Sequence, residues 1–221
     1  MSKPSLKLIL VTGFEPFGGE AVNPSALVAQ ALHGRTINGV PVLGAVLLCV
    51  FGAAIEALRT VLDRHRPNLV LALGQAAGRS GFSLERIAIN VDDARIPDNA
   101  GAQPIDTPVV AGAPAAHFTT LPVKAMVAAL RAASHPAELS QSAGTFVCNH
   151  VFYGLQHALR TRRTARSGFM HLPLLPEQAA RGGAAALSLP LTQMIDGTTL
   201  ALATALRMRA GDLIASEGAL G

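Results

Sequence analysis

The chain has 221 residues, of which half are apolar and 14% are charged, and its formal net charge is +4. This length and composition predict one globular domain, residues 1–221, with a sizeable core, and exclude a disordered or coiled-coil chain. Aromatic residues make up only 4% of the chain, so we expect no stacking platform for nucleic acid.

Strands and helices alternate through the first third of the chain. Helical spacing predicts helices over residues 23–32, with Asn23 at or next to the N-cap, and over residues 53–64. Continuous apolar runs predict strands over residues 6–12, 42–50 and 68–73. The alternation predicts an α/β fold, a three-layer α/β/α sandwich around a twisted, mostly parallel sheet.

Three loops should gather at the carboxyl edge of this sheet, where such folds bind ligands: residues 13–19, 49–52 and 74–81. Phe14 and Phe17 lie in the first loop, where either a pocket lining or local packing explains two exposed rings. The third loop is glycine-rich but lacks the spacing of a phosphate-binding motif, and an extended segment follows it. A nucleotide- or phosphate-binding module therefore stays an alternative from a different functional class.

Residues 84–91 read as an extended segment with a carboxylate on its apolar face. Alternation places Glu85 on the side of Ile87, Ile89 and Val91, and Arg86 on the other. A buried carboxylate without a partner costs several kcal/mol, so Glu85 needs a hydrogen-bonded or cationic partner that Arg86 does not supply. The purely structural alternative is that Glu85 forms an ion pair with another arginine at the end of the strand.

Residues 92–121 carry many Gly, Pro and Asp residues and little periodicity. An irregular segment of this length usually serves as a lid, a binding loop or a subunit contact. Paired aspartates lie near an arginine, but no further carboxylate or histidine group has ligand spacing, so we predict no metal site and no cofactor. A helix should follow over residues 123–133.

Cys148 ends an extended run, residues 142–147, and opens a helix. Backbone N–H groups and the helix dipole favour a thiolate at a helix N-terminus, which makes Cys148 a candidate nucleophile. A small buried hydrophobic residue is the alternative. The apolar stripe of this helix comprises Val151, Phe152, Leu155, Ala158 and Leu159, and its other side carries Tyr153, His157 and Arg160. We interpret a dense arginine cluster at the C-terminal end of this helix as solvated cations that complement the helix dipole, not as a nucleic-acid site.

His171 is the one imidazole in a short apolar strand, residues 168–174. A core histidine is the ordinary explanation, but one arrangement gives all three unusual side chains a partner. His171 takes the proton of Cys148, and Glu85 orients the ring. His150 is too close along the chain to Cys148 for easy geometry. A last helix over residues 191–209 and a frayed tail, residues 211–221, complete the chain.

Two cysteines, Cys49 and Cys148, are too few for a disulfide framework and indicate a reducing compartment. The first seven residues enter a strand without an apolar signal core. The longest uncharged run, residues 40–55, is shorter than the roughly 20 residues that span a bilayer. We therefore predict a cytoplasmic protein without a membrane partner.

With these residues the chain resembles the pyroglutamyl-peptidase I (pyrrolidone-carboxylate peptidase) family of cysteine peptidases. The resemblance is specific, because several long motifs occur in order over most of the chain. They are residues 11–19, 23–25, 74–75, 78–79, 85–90, 92–98, 143–150 and 171–173.

The resemblance implies a cysteine exopeptidase that removes an N-terminal pyroglutamyl residue from peptides, and a dimer or tetramer. Its triad would fall on Glu85, Cys148 and His171. Arg95 would help to hold the oxyanion. The substrate pocket would comprise Phe14, Phe17, Asn23, Gln75, Ile96, Phe146 and Val147. Apart from the resemblance, Cys49 lies at a strand end that should face the same edge of the sheet, so we expect it to be a pocket wall.

A glutaminase-type Cys-His-Glu amidase is the alternative among enzymes. That group places its cysteine in a Gly-x-Cys-x-Gly elbow and its glutamate two residues after the histidine. Here Phe146 and His150 flank the cysteine at those positions, and residue 173 is Pro.

Overall fold

A computed structural model describes residues 8–181 and 187–218 of the protein. The strands are β1 (Ile9–Phe14), β2 (Thr36–Ile37), β3 (Val40–Leu47), β4 (Leu69–Gln75), β5 (Phe82–Glu85), β6 (Ile87–Ile89), β7 (Ala116–Phe118), β8 (Ala137–Ser140) and β9 (Arg166–Leu172). The helices are α1 (Pro24–Leu32), α2 (Ala53–His65), α3 (Val123–Ala132), α4 (Val147–Leu159), α5 (Pro176–Arg181) and α6 (Leu191–Arg207). Within the described ranges, none of these helices combines the length and hydropathy that a bilayer crossing requires.

Seven strands form one sheet in the order β2-β3-β1-β4-β9-β5-β8. The central strands β3, β1, β4 and β9 are parallel, whereas β5 runs antiparallel to β9 and β8 runs parallel to β5. β6 and β7 form a separate antiparallel pair. The expected α/β fold with a mostly parallel sheet is therefore confirmed.

One apolar core lies on each face of the sheet. Successive side chains of a strand point to opposite faces, so Ile9 and Val11 of β1 join the core under α1, α3 and α6, while Leu10 joins the core under α2 and α4. α1 lies very close to the sheet, because Gly13 has no side chain: a Cβ there would lie 2.2 Å from the Ser25 carbonyl oxygen. This packing sets the position of the loop that follows β1.

The expectation of one extended segment over residues 84–91 is wrong. The chain leaves the main sheet at Arg86, whose N–H donates to the Ser140 carbonyl, and continues as β6 in the small sheet. Leu84 belongs to the core under α1, α3 and α6, so Glu85 takes the opposite face. The isoleucines that were grouped with Glu85 are only half buried and belong to the second sheet.

Other differences follow from packing that local patterns do not reveal. Tyr153, expected on the polar side of its helix, is fully buried, and its hydroxyl donates to the Pro114 carbonyl at 2.5 Å. Residues 142–147 form no strand, and the strand that precedes α4 is β8 (Ala137–Ser140). Neither β8 nor α5 was predicted. Part of the first predicted strand, residues 6–7, lies outside the described residues.

The tail is not frayed where the structure describes it. The carboxylate of Asp212 accepts the Lys124 and Ala125 N–H groups in the first turn of α3, at 3.0 and 2.9 Å. Arg131 pairs with Glu217 at 2.9 Å. The tail thus caps α3, whose N-cap residue, Pro122, makes no side-chain hydrogen bond. Residues 219–221 of the predicted tail lie outside the described residues.

Candidate active site

His171 and Glu85 form a buried pair on the face of the sheet that α4 covers. His171 is 4% exposed and Glu85 is 0% exposed, and His171 Nδ1 lies 2.8 Å from Glu85 Oε1. In the antiparallel register Glu85 is opposite Phe169, two residues from His171, so the pair is a diagonal one. Because a carboxylate only accepts, Nδ1 carries the hydrogen and Nε2 keeps a lone pair for another proton.

Cys148 is the second residue of α4, and Phe146 occupies the N-cap without a side-chain hydrogen bond. The N–H groups of a first helical turn have no partners within the helix. The sulfur lies over Gly74 of β4: a Cβ built on Gly74 would be 2.8 Å from Cys148 Sγ and 2.8 Å from Phe169 Cζ. Gly74 is paired in register with His171. The register therefore puts the thiol over the strand neighbour of His171, near the ends of β4 and β9, while the imidazole contacts Glu85.

The acidity of the two thiols differs from the expectation for a helix N-terminus. Desolvation by burial raises the pKa of Cys148 well above its usual range, and the neighbouring Cys49 thiol and Glu85 carboxylate raise it further. A helix dipole supplies at most about 2 kcal/mol, roughly 1.5 pKa units, in the other direction. Burial outweighs it, so Cys148 rests as a thiol and needs a base. Burial, Glu15 and Asp98 also raise the pKa of Cys49, to about 12.

An aromatic wall runs from the site to the surface. Phe14 is buried, with its ring centroid 6.5 Å from that of Phe169. Phe17 lies 5.9 Å from Phe146, and Phe51 lies edge-on to Phe146 at 5.5 Å. Phe51 was not singled out in the sequence.

A cleft of about 370 Å³ opens beside Phe146, which precedes the buried Val147 and then Cys148. Ile96 is 44% exposed at this cleft, and Arg95 is exposed. Of the predicted pocket residues, Arg95, Ile96 and Phe146 line this cleft. Its lining does not include Phe14, Phe17, Asn23, Gln75 or Val147. The lining residues are Asp93, Arg95, Ile96, Gly144, Thr145 and Phe146.

Asn23 and Gln75 are braced by the protein itself. Asn23 is the N-cap of α1: its Oδ1 accepts the Ser25 N–H at 3.0 Å, and its Nδ2 donates to the Glu15 carbonyl at 3.1 Å. Gln75 Oε1 accepts from Gln178 Nε2 at 3.3 Å. Both amides therefore hold loops at the carboxyl edge of the sheet in place.

Two polar residues directly after Cys148 were missed as structural determinants. Asn149 Oδ1 accepts the Ile89 N–H at 3.0 Å, and Asn149 Nδ2 donates to the carbonyls of Ile89 and Val91 at 2.9 and 3.0 Å. His150 uses both ring nitrogens, with Nδ1 2.7 Å from Asp92 Oδ2 and Nε2 accepting the Gly52 N–H at 2.9 Å. His150 is therefore occupied and cannot serve Cys148 as a base. Two adjacent polar side chains in an apolar helix were the available signal.

The alternative sites have less support. The glycine-rich loop after β4 leads into β5, so it lacks the helix N-terminus that binds phosphate in the common motifs. Across the ranges 8–181 and 187–218, no group of three or more His, Cys, Asp or Glu side chains has the arrangement of a metal site.

Comparison with known proteins gives consistent results. A family model described as pyroglutamyl peptidase matches residues 7–208. The pyrrolidone-carboxylate peptidase of Cupriavidus taiwanensis is 57% identical over 204 residues, which cover 91% of this chain and 94% of that protein. That of Erwinia tasmaniensis is 59% identical over 174 residues, covering 79% and 81% of the two chains.

Solved structures agree with this. The crystal structure of pyroglutamyl peptidase I from Bacillus amyloliquefaciens superimposes with a TM-score of 0.92 at 38% identity and covers 96% of this chain and 100% of that chain. A mutant pyrrolidone carboxyl peptidase from Pyrococcus furiosus gives a TM-score of 0.87 at 41% identity, covering 90% and 98%.

Proposed function

From the premise that this chain belongs to the pyroglutamyl peptidase family, we propose that Cys148, His171 and Glu85 carry out its reaction. The protein is a cysteine-type omega-peptidase that hydrolyses the bond after an N-terminal pyroglutamyl residue. The observation that supports the three roles is the 2.8 Å contact between His171 and Glu85, with the Cys148 sulfur over Gly74, the neighbour of His171 in the sheet.

His171 is the general base and then the general acid. Its Nε2 takes the proton of Cys148, and the sulfur attacks the carbonyl carbon of the pyroglutamyl residue while the carbonyl π electrons move to oxygen. When the tetrahedral intermediate collapses, the C–N bond breaks and the imidazolium gives its proton to the leaving amine. Water, deprotonated by His171, then hydrolyses the thioester. Glu85 orients the ring and stabilises the imidazolium throughout.

The oxyanion is stabilised by the start of α4 and by Arg95. The first-turn N–H groups around Cys148 point out of the helix end without intrahelical partners, and they lie close to the attacking sulfur. Arg95 lines the adjacent cleft and adds a positive charge.

The pocket suits an uncharged lactam. Ile96 and Phe146 line the cleft, and Phe17 packs against Phe146. Phe14 and Val147, both buried, would complete the apolar walls. The amides of Asn23 and Gln75 lie at the loops around the pocket and are the candidate partners of the lactam. Apolar walls with a few polar groups suit recognition of a small neutral ring, and the charged side chains at the cleft are those of Asp93 and Arg95.

The test compares the two cysteines of the chain. Cys148→Ser should lower kcat/KM for a pyroglutamyl p-nitroanilide by on the order of 10⁴-fold or more, whereas Cys49→Ser, which only alters a buried wall, should lose less than about tenfold. Retention of wild-type turnover by Cys148→Ser would show that the nucleophile is assigned wrongly. An equal loss of kcat/KM in Cys148→Ser and Cys49→Ser would point to a folding defect, which a thermal unfolding measurement detects.

We also infer that residues 1–221 act as one catalytic domain in a cytoplasmic homo-oligomer. Both cysteines are free, which fits a reducing compartment. Ile105, in the irregular segment before β7, and Phe118, at the end of β7, are 74% and 66% exposed, and paired copies would cover them. Light scattering after gel filtration should give a dimer or tetramer, and Ile105→Glu should shift it toward the monomer. A wild-type monomer at micromolar concentration would contradict this.

A further inference from the structure

Arg79, in the loop between β4 and β5, lies between two carboxylates. Its Nη1 donates to Glu138 Oε1 at 2.7 Å, and its Nη2 lies 3.8 Å from Glu85 Oε1. Nη2 also donates to Ser140 Oγ at 3.1 Å and to the Ser142 carbonyl at 3.4 Å. The guanidinium thus joins the buried carboxylate of the site to the strand and loop that lead to α4.

The register of two strands holds this arrangement. β8 is parallel to β5, with Glu138 opposite Ser83 and Ser140 opposite Glu85. Ser83 Oγ donates to Glu138 Oε1 at 2.7 Å, and Arg79 Nη1 donates to the same oxygen. Both side chains therefore hold the Glu138 carboxylate in place. Arg79 is 30% exposed at its side chain, and Glu85 is fully buried. The sequence indicated that Glu85 needs a hydrogen-bonded or cationic partner, with an ion pair to another arginine as one explanation, but it did not identify that arginine.

Glu85 needs a compensating charge for part of the catalytic cycle. Its Oε1 binds His171, and its Oε2 has no hydrogen-bond partner among the described residues. While His171 is an imidazolium, its positive charge balances the negative charge of the Glu85 carboxylate. While His171 is neutral, the carboxylate is a buried negative charge, which is costly unless a cation lies close. Arg79 is the cation that lies close.

We propose that Arg79 is a positioning residue for the reaction: it compensates the charge of Glu85 while His171 is neutral, so the pH profile of the reaction should change when Arg79 is replaced. This rests on the roles proposed above for Glu85 and His171. Arg79 touches neither the sulfur nor the pocket, and it acts on the reaction only through the carboxylate.

The direction of the effect follows from the groups that face the pair. They are Arg79 from the β4–β5 loop, Glu138 from β8 and Cys148 from α4. Arg86 is adjacent in the chain, but its guanidinium contacts Gln141. Removing the positive charge of Arg79 makes the pair bind a proton more readily, whichever of the two groups receives it. The acid limb of activity should therefore move to higher pH.

The size of the shift is set by distance and exposure. An opposite charge within about 4–6 Å shifts a titration by about 1–3 pH units, and the partial exposure of Arg79 places it at the low end, about one unit.

The experiment compares Arg79→Gln, Arg79→Lys and the control Arg86→Gln with the wild type. Two profiles are measured from about pH 5 to about pH 9: kcat/KM for a pyroglutamyl p-nitroanilide, and the rate at which iodoacetamide inactivates the enzyme. Arg79→Gln should move the acid limb of both profiles up by about one unit, while Arg79→Lys and Arg86→Gln stay within about 0.3 unit of the wild type. Glu138→Gln removes a negative charge from an exposed side chain and should move the limb down.

The proposal is overturned if Arg79→Gln leaves the limb in place, if Arg86→Gln shifts it equally, or if Arg79→Lys behaves like Arg79→Gln. If Arg79→Gln does not fold, Glu138→Gln decides, since an unchanged or raised limb in that variant also refutes the role of Arg79. These outcomes are separate from the test of the site itself, because Cys148→Ser tests the nucleophile whatever the profiles show.

Discussion

A methyl group on Gly74 should displace the sulfur of Cys148, the proposed nucleophile, without touching the proposed substrate pocket. In Gly74→Ala the new Cβ would lie 2.8 Å from Cys148 Sγ and from Phe169 Cζ. Normal contact needs about 3.5 Å or more, so the sulfur or the ring must move by about 0.7 Å. A misplacement of about 1 Å costs roughly 10²-fold in rate, and overpacking costs about 1–3 kcal/mol of stability. We expect kcat to fall by about 10²-fold while KM changes little.

Gly168→Ala is the matched control. Gly168 also lies in a buried central strand, and its Cβ would meet Thr119 Oγ1 at 2.5 Å and a Leu121 methyl at 2.7 Å, on the face away from Cys148. Both variants should lose a few degrees of thermal stability, but only Gly74→Ala should lose turnover of a pyroglutamyl p-nitroanilide. A Gly74→Ala enzyme with kcat within about threefold of the wild type would refute the placement of the sulfur, as would an equal loss in Gly168→Ala.

Three further predictions concern the groups around the site. Glu85→Gln keeps an acceptor but loses the charge that stabilises the imidazolium, so kcat/KM should fall on the order of 10²-fold, less than in Cys148→Ser; wild-type kinetics would exclude the orienting role. Asn149→Ala leaves the buried N–H and carbonyl of Ile89 unpaired and should cost about 2–4 kcal/mol in urea unfolding, whereas a cost under about 1 kcal/mol would mean that the contacts are dispensable. Burial acts to raise the pKa of Asp98, but backbone N–H groups that donate to the carboxylate, including that of Phe51, lower the pKa on balance. The carboxylate of Asp98 therefore contributes to stability above about pH 4, and this contribution is lost as the pH falls further. Asp98→Asn should flatten this part of the curve of unfolding free energy against pH, and an unchanged curve would argue against the role of Asp98.

The elements that the sequence predicted best are those with strong local patterns. The helix after Asn23 begins and ends as expected, and the helix after Gly52 ends one residue later than expected, because capping groups and apolar spacing act within one or two turns. Residues 84–91 show the limit of this approach. Their alternation is real, but it does not show that the chain changes sheets at Arg86, where a hydrogen bond to distant Ser140 redirects it.

The same division holds for the site. Cys148, His171 and Glu85 stood out because each is chemically unusual in its local pattern, and the structure places them at one edge of the sheet. Asn149 and His150 carried only a weak local signal and Arg79 none, and the partners of these residues lie between 6 and 98 residues away.

The amino-acid sequence by itself determined the family and the α/β class and indicated which side chains are the candidates for the reaction, because these depend on residue type, ordered motifs and short-range periodicity. The tertiary structure decided which strands are neighbours and that Glu85 pairs diagonally with His171, two residues from its register partner Phe169. It also shows that Cys148 and Phe169 leave no room for a side chain at position 74. These features depend on strand order and on packing between distant segments, for which a local pattern carries no information.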